Sequence, residues 1–513
     1  MTSGVRANPG EPRVSEKPRA VRIHPADNVA VATEPLAAGT EITVGDQRVV
    51  LREDVGAGHK IALRDLADDD DVVKYGFVIG RATQPIEAGA WAHSHNVATR
   101  LSGTLDYHYA PVAAEDAAPA GPVPTWMGYR RANGRVGTRN EVWIVNTVGC
   151  VNTAAERIAM VANKRFDGRV DGVHAFSHPY GCSQLGDDLG NTQAILAGLL
   201  RHPNAGGVLV LGLGCENNQM DQLLAIAGEV DRSRLRFFNT QDVIDEVEEG
   251  VAAVGELVAR MESDQRVAVP ASELILGHKC GGSDGFSGIS ANPLVGRIAE
   301  RMAGVGGGVI LTEVPEMFGA EQVLMNRAAD ESVFRDIVAM INDFKEYFIR
   351  HDQPIYENPS PGNKAGGLTT LEEKSLGAIQ KGGRATVHRV LRYGQPASPG
   401  GLSLLEAPGN DGVSSTAMVA SGATVLLFTT GRGTPLGFPV PTIKISSNST
   451  IAAKKPHWID FDAGALLEGT ATLDQLADRL FSHILEVASG RELTNNEKND
   501  YREIAIWKEG VTL

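Results

Sequence analysis

From residue 140 onward the chain repeats one pattern, a short uninterrupted apolar run, a glycine-bearing break, then apolar positions at helical spacing. The runs fall at residues 142–148, 173–176, 208–213, 274–276 and 309–311, with a weaker one near 236 and further ones near 404 and at 424–428. Runs without polar alternation belong to strands covered on both faces. Helical spacing follows from 154, over 193–201, 219–227 and 243–261, from 293, over 331–350 and, last, over 473–489. Alternating strands and helices predict parallel α/β architecture of the Rossmann-like kind. Periodicity leaves two arrangements open for residues 130–513, one large sheet or two lobes, the latter dividing as 129–390 and 391–513.

The first quarter of the chain has a different pattern. Short alternating segments at 21–23, 29–32 and 60–63 are broken at close intervals by Gly, Pro and Asp, which predicts a small, mostly β domain over 20–110. Residues 1–19 lack an apolar core and read as a disordered lead, and the Ala/Pro-rich text of 111–128 reads as an extended linker.

With 513 residues, 42% of them apolar, the chain exceeds what one core holds. Acidic residues outnumber basic ones 63 to 48, and no Lys/Arg-rich run occurs. Nucleic acid and anionic membranes are therefore excluded as expected partners, and a small anionic molecule held by local cations remains. No stretch is apolar for the length of a membrane span or a signal core, so a cytoplasmic protein is expected. The four cysteines then read as thiols or metal ligands rather than disulfides.

All four, Cys150, Cys182, Cys215 and Cys280, stand just past a predicted buried strand and before a helical segment, where open α/β sheets gather ligands. Two readings follow. Cys182, Cys215 and Cys280 provide three thiolates for a soft metal, including an iron–sulfur cluster with one open iron, or they are small side chains packed at strand ends. The glycine-rich text after Cys280 adds Ser283 and Asp284, and its glycines allow close approach of a bound group. Three further polar loops present Asn363 and Lys364, Asn410 and Asp411, and Arg432, Thr434 and Lys444. A guanidinium among glycines is a fork suited to a carboxylate. In the β domain, Lys60 follows His59, Lys74 precedes Tyr75, and His93 and His95 alternate, so an extended backbone would turn both histidines to one side.

The text NGRVGTRNEVWIVNTVGC, GLGCENNQ, GHKCGGSDGFSGISANPLVG, LTEVPEMFGAE, NPSPGNKAGGLTTLEEKSLG, FTTGRGTPLGFPVPTIKISSNS and HWIDFDAG resembles the altronate/galactarate dehydratase family across nearly the whole chain from about residue 20. The resemblance implies a SAF-type amino-terminal domain on a large catalytic region, and removal of water from a sugar acid to give a 2-keto-3-deoxy acid with iron, as a ferrous ion or an iron–sulfur cluster. It implies altronate as the expected substrate, with galactarate dehydration or a sulfolactate-type lyase as alternatives. A non-catalytic sugar-acid binder is the reading from another class, and a homodimer is the expected assembly. On this view His93, His95 and Lys60 serve proton transfer. Cys182, Cys215 and Cys280 hold iron. Arg432, Thr434, Lys444, Asn363, Lys364, Asn410, Asp411, Ser283 and Asp284 bind substrate.

Overall fold

The computed structural model describes residues 18–112, 121–510 and 512. Residues 1–17 of the expected lead and 113–120 of the expected linker thus lie outside the described residues. Residues 20–98 form the β domain in three small sheets. The main one orders Ala20–Val21, Val29–Ala32, Lys60–Ala62 and Trp91–Ala92 antiparallel. Its own core packs Ala30, Ile42, Val44, Val49 and Ile61. Val29, Ala62 and Ile79 join the core of the large region instead, so one face of the domain is buried against its neighbour.

That large region contains two parallel sheets. The first has strands β1 (Glu141–Asn146), β2 (Val173–Phe176), β3 (Ala205–Gly212) and β4 (Leu235–Asn239) in the order β2-β1-β3-β4. The second has seven, β5 (Ile275–Cys280), β6 (Gly308–Leu311), β7 (Val387–Leu391), β8 (Gly401–Leu405), β9 (Val425–Thr430), β10 (Thr442–Ser446) and β11 (Phe461–Asp462), ordered β7-β8-β6-β5-β9-β10-β11. Strands from both sides of position 390 share this second sheet. The division of the region therefore falls between the sheets, ahead of residue 275, and not at 390/391. Sequence periodicity is the same in both sheets and carries no mark of where one ends.

Alternate residues of the buried strands serve opposite layers. Val142 and Ile144 of β1 pack on α1 (Asn152–Arg165) and α4 (Glu246–Met261), whereas Trp143 and Val145 pack on α2 (Gly186–Leu200) and α3 (Met220–Ala227). The second sheet turns Leu276, Leu404 and Leu427 toward α5 (Ala291–Gly304) and α9 (Leu473–Ala488). Its other face, Ile275, Ile310 and Phe428, joins the same cluster as Trp143 through α8 (Asp411–Ala420). Helices α2 and α8 thus form a shared middle layer. Near their ends a Cβ on Gly198 would stand 2.4 Å from the Ala420 carbonyl. Near their starts the C-terminal segment crosses both, Ala505 N donating to Thr416 Oγ1 and Glu509 N to Asp188 Oδ1. The helices run in the same direction, so both sheets present their C-terminal edges to one side of the molecule.

A candidate active site at the C-terminal edge of the second sheet

In the second sheet the chain moves from β5 outward through β6 to the edge strand β7, fills the gap with β8, then crosses back to β9. The strand order reverses between β5 and β9, and ligand crevices form at such a point. Strand β5 ends there at Cys280. The segment after β6 brings Glu313 and Glu316, the loop before α8 brings Asp411, and Arg432 follows β9. From helix α7 (Leu371–Ala378) and the turn after it come Lys374 and Lys381.

These side chains form a closed buried network. Lys381 Nζ donates to Cys280 Sγ at 2.8 Å and to Glu313 at 2.7 Å. Lys279 pairs with Glu313 and, at 2.8 Å, with Asp411, while Lys374 pairs with Glu316 at 2.8 Å. Glu313 sits at φ 71°, a left-handed conformation that a non-glycine residue rarely adopts, and its bonds to Lys279, Lys381 and the Cys280 amide hold it there. Burial opposes the charge on Lys279 and Lys381, but Asp411 and Glu313 for the first, and Cys280 and Glu313 for the second, keep both above the usual lysine range. Burial, then Glu313, pushes the Cys280 thiol up to about 12, so it is protonated at neutral pH. Burial opposes the charge on Glu316, but the ammonium groups of Lys374, Lys279 and Lys381 together hold it at about 2.

Three ammonium groups therefore face three carboxylates around a neutral thiol. Ligand atoms of Cys280, Glu313 and Glu316 lie within 4.8 Å of one another, the spacing of a metal site, and among the described residues this is the group that meets it. A metal does not fit there: a divalent cation would add to a set that Lys279, Lys374 and Lys381 already neutralise.

The β domain closes over this edge. Helix α7 faces both ways: Lys374 turns to Glu316, and Glu373 accepts from Lys60 and Lys74 at 2.8 Å each, all three side chains at most 1% exposed. Burial and, in opposition, Glu373 act on Lys60, whose pKa is lowered to about 8. At the junction the backbones touch. A Cβ on Gly285 would stand 2.0 Å from the Gly58 carbonyl, and one on Gly367 2.2 Å from the same atom. Gly285, one of the glycines after Cys280 expected to admit a bound group, thus admits the β domain's own main chain. Beside them His59 reaches the Ala365 carbonyl at 3.4 Å, accepts from Trp91 Nε1 at 3.1 Å, and lies 5.0 Å from the His93 ring. His93 is buried with Nδ1 unpartnered, and burial, then Lys60, lowers its pKa to about 4.

The remaining expected residues divide by role. Residues 93–96 form a turn in which the His93 carbonyl accepts from the amides of Asn96 and Val97, so His93 is buried and His95 exposed, not aligned on one extended face. Lys60 is enclosed by Gly367 O and Glu373 and ties the β domain to α7. Asp284 accepts from Ser287, Ser447 and Asn448 and stitches the loops after β5 and β10 together. Asn363 bonds the Ser283 carbonyl at 2.8 Å and Lys374 at 3.3 Å, joining the junction to the network. Asn410 caps α8, and Thr434 Oγ1 accepts from Leu436 N. Lys444, lowered to about 8 by burial, is bound to Thr434 O at 2.8 Å and anchors the loop that carries Arg432. Arg432 is exposed, and Lys364 half-buried, each without an ion pair among the described residues.

Cys182 and Cys215 do not join Cys280. They lie exposed at the edge of the first sheet together with Cys150, whereas Cys280 is buried in the second. The buried Lys279, Glu313, Glu316, Glu373, Lys374 and Lys381 are the residues that pattern reading passed over. Their signal is a charge set directly in apolar or glycine-rich text, as in ILGHKC and AIQKGG.

Three family models match in succession: the altronate/galactarate dehydratase SAF domain over residues 18–100, the D-galactarate dehydratase/altronate hydrolase second domain over 128–262, and the D-galactarate/altronate dehydratase C-terminal domain over 271–512. The chain is 53% identical to altronate dehydratase of Escherichia coli (strain K12) and 50% identical to that of Bacillus subtilis (strain 168), over 96% of this chain and 99% of each relative. It is 34% identical to the galactarate dehydratase (L-threo-forming) of Escherichia coli (strain K12), over 93% of this chain and 94% of that one. The chain belongs to the altronate/galactarate dehydratase family.

Proposed function

We propose that this protein is a hydro-lyase that removes water from an aldonic acid of the altronate type, giving a 2-keto-3-deoxy acid. The observation that carries the reading is the end-to-end match to two altronate dehydratases at half identity or more, against 34% for the galactarate enzyme. In the reaction the proton beside the carboxylate leaves C2, the C2–H electrons form the C2=C3 bond as hydroxide departs from C3, and the resulting enol becomes the 2-keto acid.

That chemistry requires a base, an acid for the departing hydroxyl and cations for the carboxylate. His93, neutral at physiological pH with an unpartnered Nδ1 beside the junction, is suited to take the C2 proton. Lys374 and Lys381, kept charged by their carboxylates, are suited to bind the departing hydroxyl and offset the charge it develops. Arg432 offers the substrate carboxylate an unpaired guanidinium at the β9 end of the crevice, held by its amide bond to the Gly282 carbonyl at 3.0 Å.

The test is turnover by protein purified without oxygen on a panel of aldonic and aldaric acids, with the 2-keto-3-deoxy product read by periodate and thiobarbiturate. Altronate is expected to give product faster than galactarate. Arg432→Ala is expected to raise KM at least about tenfold, the loss of roughly 1.4 kcal/mol of carboxylate binding. Saturable binding of altronate with no product would reject the reading in favour of a sugar-acid binder.

A further inference from the structure

The edge of the first sheet carries a feature that the crevice of the second does not use. Three cysteines follow three adjacent strands, Cys150 after the central β1, Cys182 after β2 and Cys215 after β3, and all three are exposed. Their loops are bonded to one another around the Thr147 carbonyl. That oxygen accepts from Asn218 Nδ2 at 2.9 Å, and Gly181 packs against it so closely that a Cβ would come within 2.1 Å. Gly149 N donates to Tyr180 O at 2.8 Å, Asn218 N to Gly181 O at 2.9 Å, and Ser183 N to the Asn217 side chain at 2.7 Å. Cys182 is therefore clamped between the loop of Cys150 and the loop of Cys215.

Each loop runs into the start of a helix, α1, α2 or α3. Gln241 Nε2 adds a donor to Cys215 Sγ at 3.6 Å. Spacing separates the metals such a set can take. Among the described residues the group of ligand atoms within 4.8 Å is that of Cys280, so the three exposed sulfurs are not drawn in as one tetrahedral ion would require. Zinc or a single ferrous ion needs that tight shell, whereas a cuboidal iron–sulfur cluster sets its thiolates further apart and accepts three of them.

We propose that Cys150, Cys182 and Cys215 hold an iron–sulfur cluster of the four-iron type, with its fourth iron open to an oxygen ligand, and that Cys280 is not among its ligands. The assignment is independent of the dehydratase reading, because iron, sulfide and absorbance are measured without substrate.

The full chain, purified anaerobically or reconstituted with ferrous iron and sulfide, is expected to hold about four iron and four acid-labile sulfide per chain and to absorb broadly in the visible. Cys150→Ser, C182S and C215S should each lose most of that absorption, iron and sulfide, and Cys280→Ser should keep them. A second measurement on the unaltered chain guards against misfolded variants: loading should protect the three exposed cysteines together from iodoacetamide, read by mass spectrometry. A colourless loaded chain, absorption that survives in the first three variants or fails equally in the fourth, or undiminished labelling of any of the three thiols would each overturn the proposal.

Discussion

The two parallel sheets of this protein obey the same topological rule and reach opposite electrostatic solutions. Each reverses its strand order beside its first strand, and each gathers side chains at that C-terminal edge. At the second sheet the edge is roofed by the β domain, and the buried lysines and carboxylates of its network are matched by opposite partners. At the first the edge is open, and what collects there is exposed sulfur with a few hydrogen bonds. The difference is one of solvent. Burying an ammonium without a carboxylate costs several kcal/mol, so a covered edge tolerates only matched sets, while an open one tolerates unpaired reactive groups.

The sharpest way to break that comparison is to unbalance the covered edge. Lys381→Met removes the donor to both Cys280 and Glu313 while nearly conserving volume, and leaves Glu313 to Lys279 and the Cys280 amide. A loss of about 3–5 kcal/mol in denaturant unfolding is expected, together with loss of turnover. At the open edge, Cys215→Ser in iron-free protein removes one weak sulfur contact and should change stability by less than about 0.5 kcal/mol. Similar losses at the two edges would mean that solvent exposure does not distinguish them.

A second substitution asks whether the roof depends on the same charge matching. Glu373→Gln leaves the ammonium groups of Lys60 and Lys74 buried against a neutral amide. The β domain should loosen at a cost of about 3 kcal/mol, read as lost amide-exchange protection in strands 60–62 and 71–74 while β1 and β3 keep theirs. Unchanged protection in those strands would show that the glycine contacts at Gly58, Gly285 and Gly367 hold the domain without the ion triad.

The same contrast explains what a reader of the sequence sees. Strands such as β1 and β9 are legible because burial on both faces leaves an unbroken apolar run in each, 142–145 and 425–428. The C-terminal edges are legible too, since glycine and cysteine interrupt those runs. What is hidden is which edge a residue joins. Cys215 and Cys280 have the same local text, strand then glycine then helix, and only the sheet order separates them. The network is hidden for a related reason: Cys280, Glu313 and Lys381 are brought together by parallel pairing of distant strands, and no local spacing encodes that. His93 and His95 misled in another way, because a four-residue turn replaced the extended backbone on which alternation depends.

The smallest expected effect lies at the seam between roof and edge, in the titration of His93. Burial and the neighbouring Lys60 and His59 oppose its charge, with Glu373 alone pulling the other way and His95 adding slightly to the opposition, and its pKa falls from 6.5 to about 4. A histidine depressed in the folded state binds its proton only after unfolding, so its contribution to stability is complete above pH 6.5 and is lost as pH falls toward 4. His174, His202 and His278 are also lowered by burial and shape the same part of the curve, so the readout is the difference between wild type and His93→Gln. Between pH 6.5 and 4 the variant's unfolding midpoint should fall less steeply than that of wild type. In kinetics, a base with this pKa stays unprotonated through neutrality, so kcat/KM should hold down to about pH 5 and fall only below it. An acid limb near pH 6.5 that His93→Gln leaves in place would assign the proton to another group, and His95, exposed at the rim of the same turn, would be the next to change.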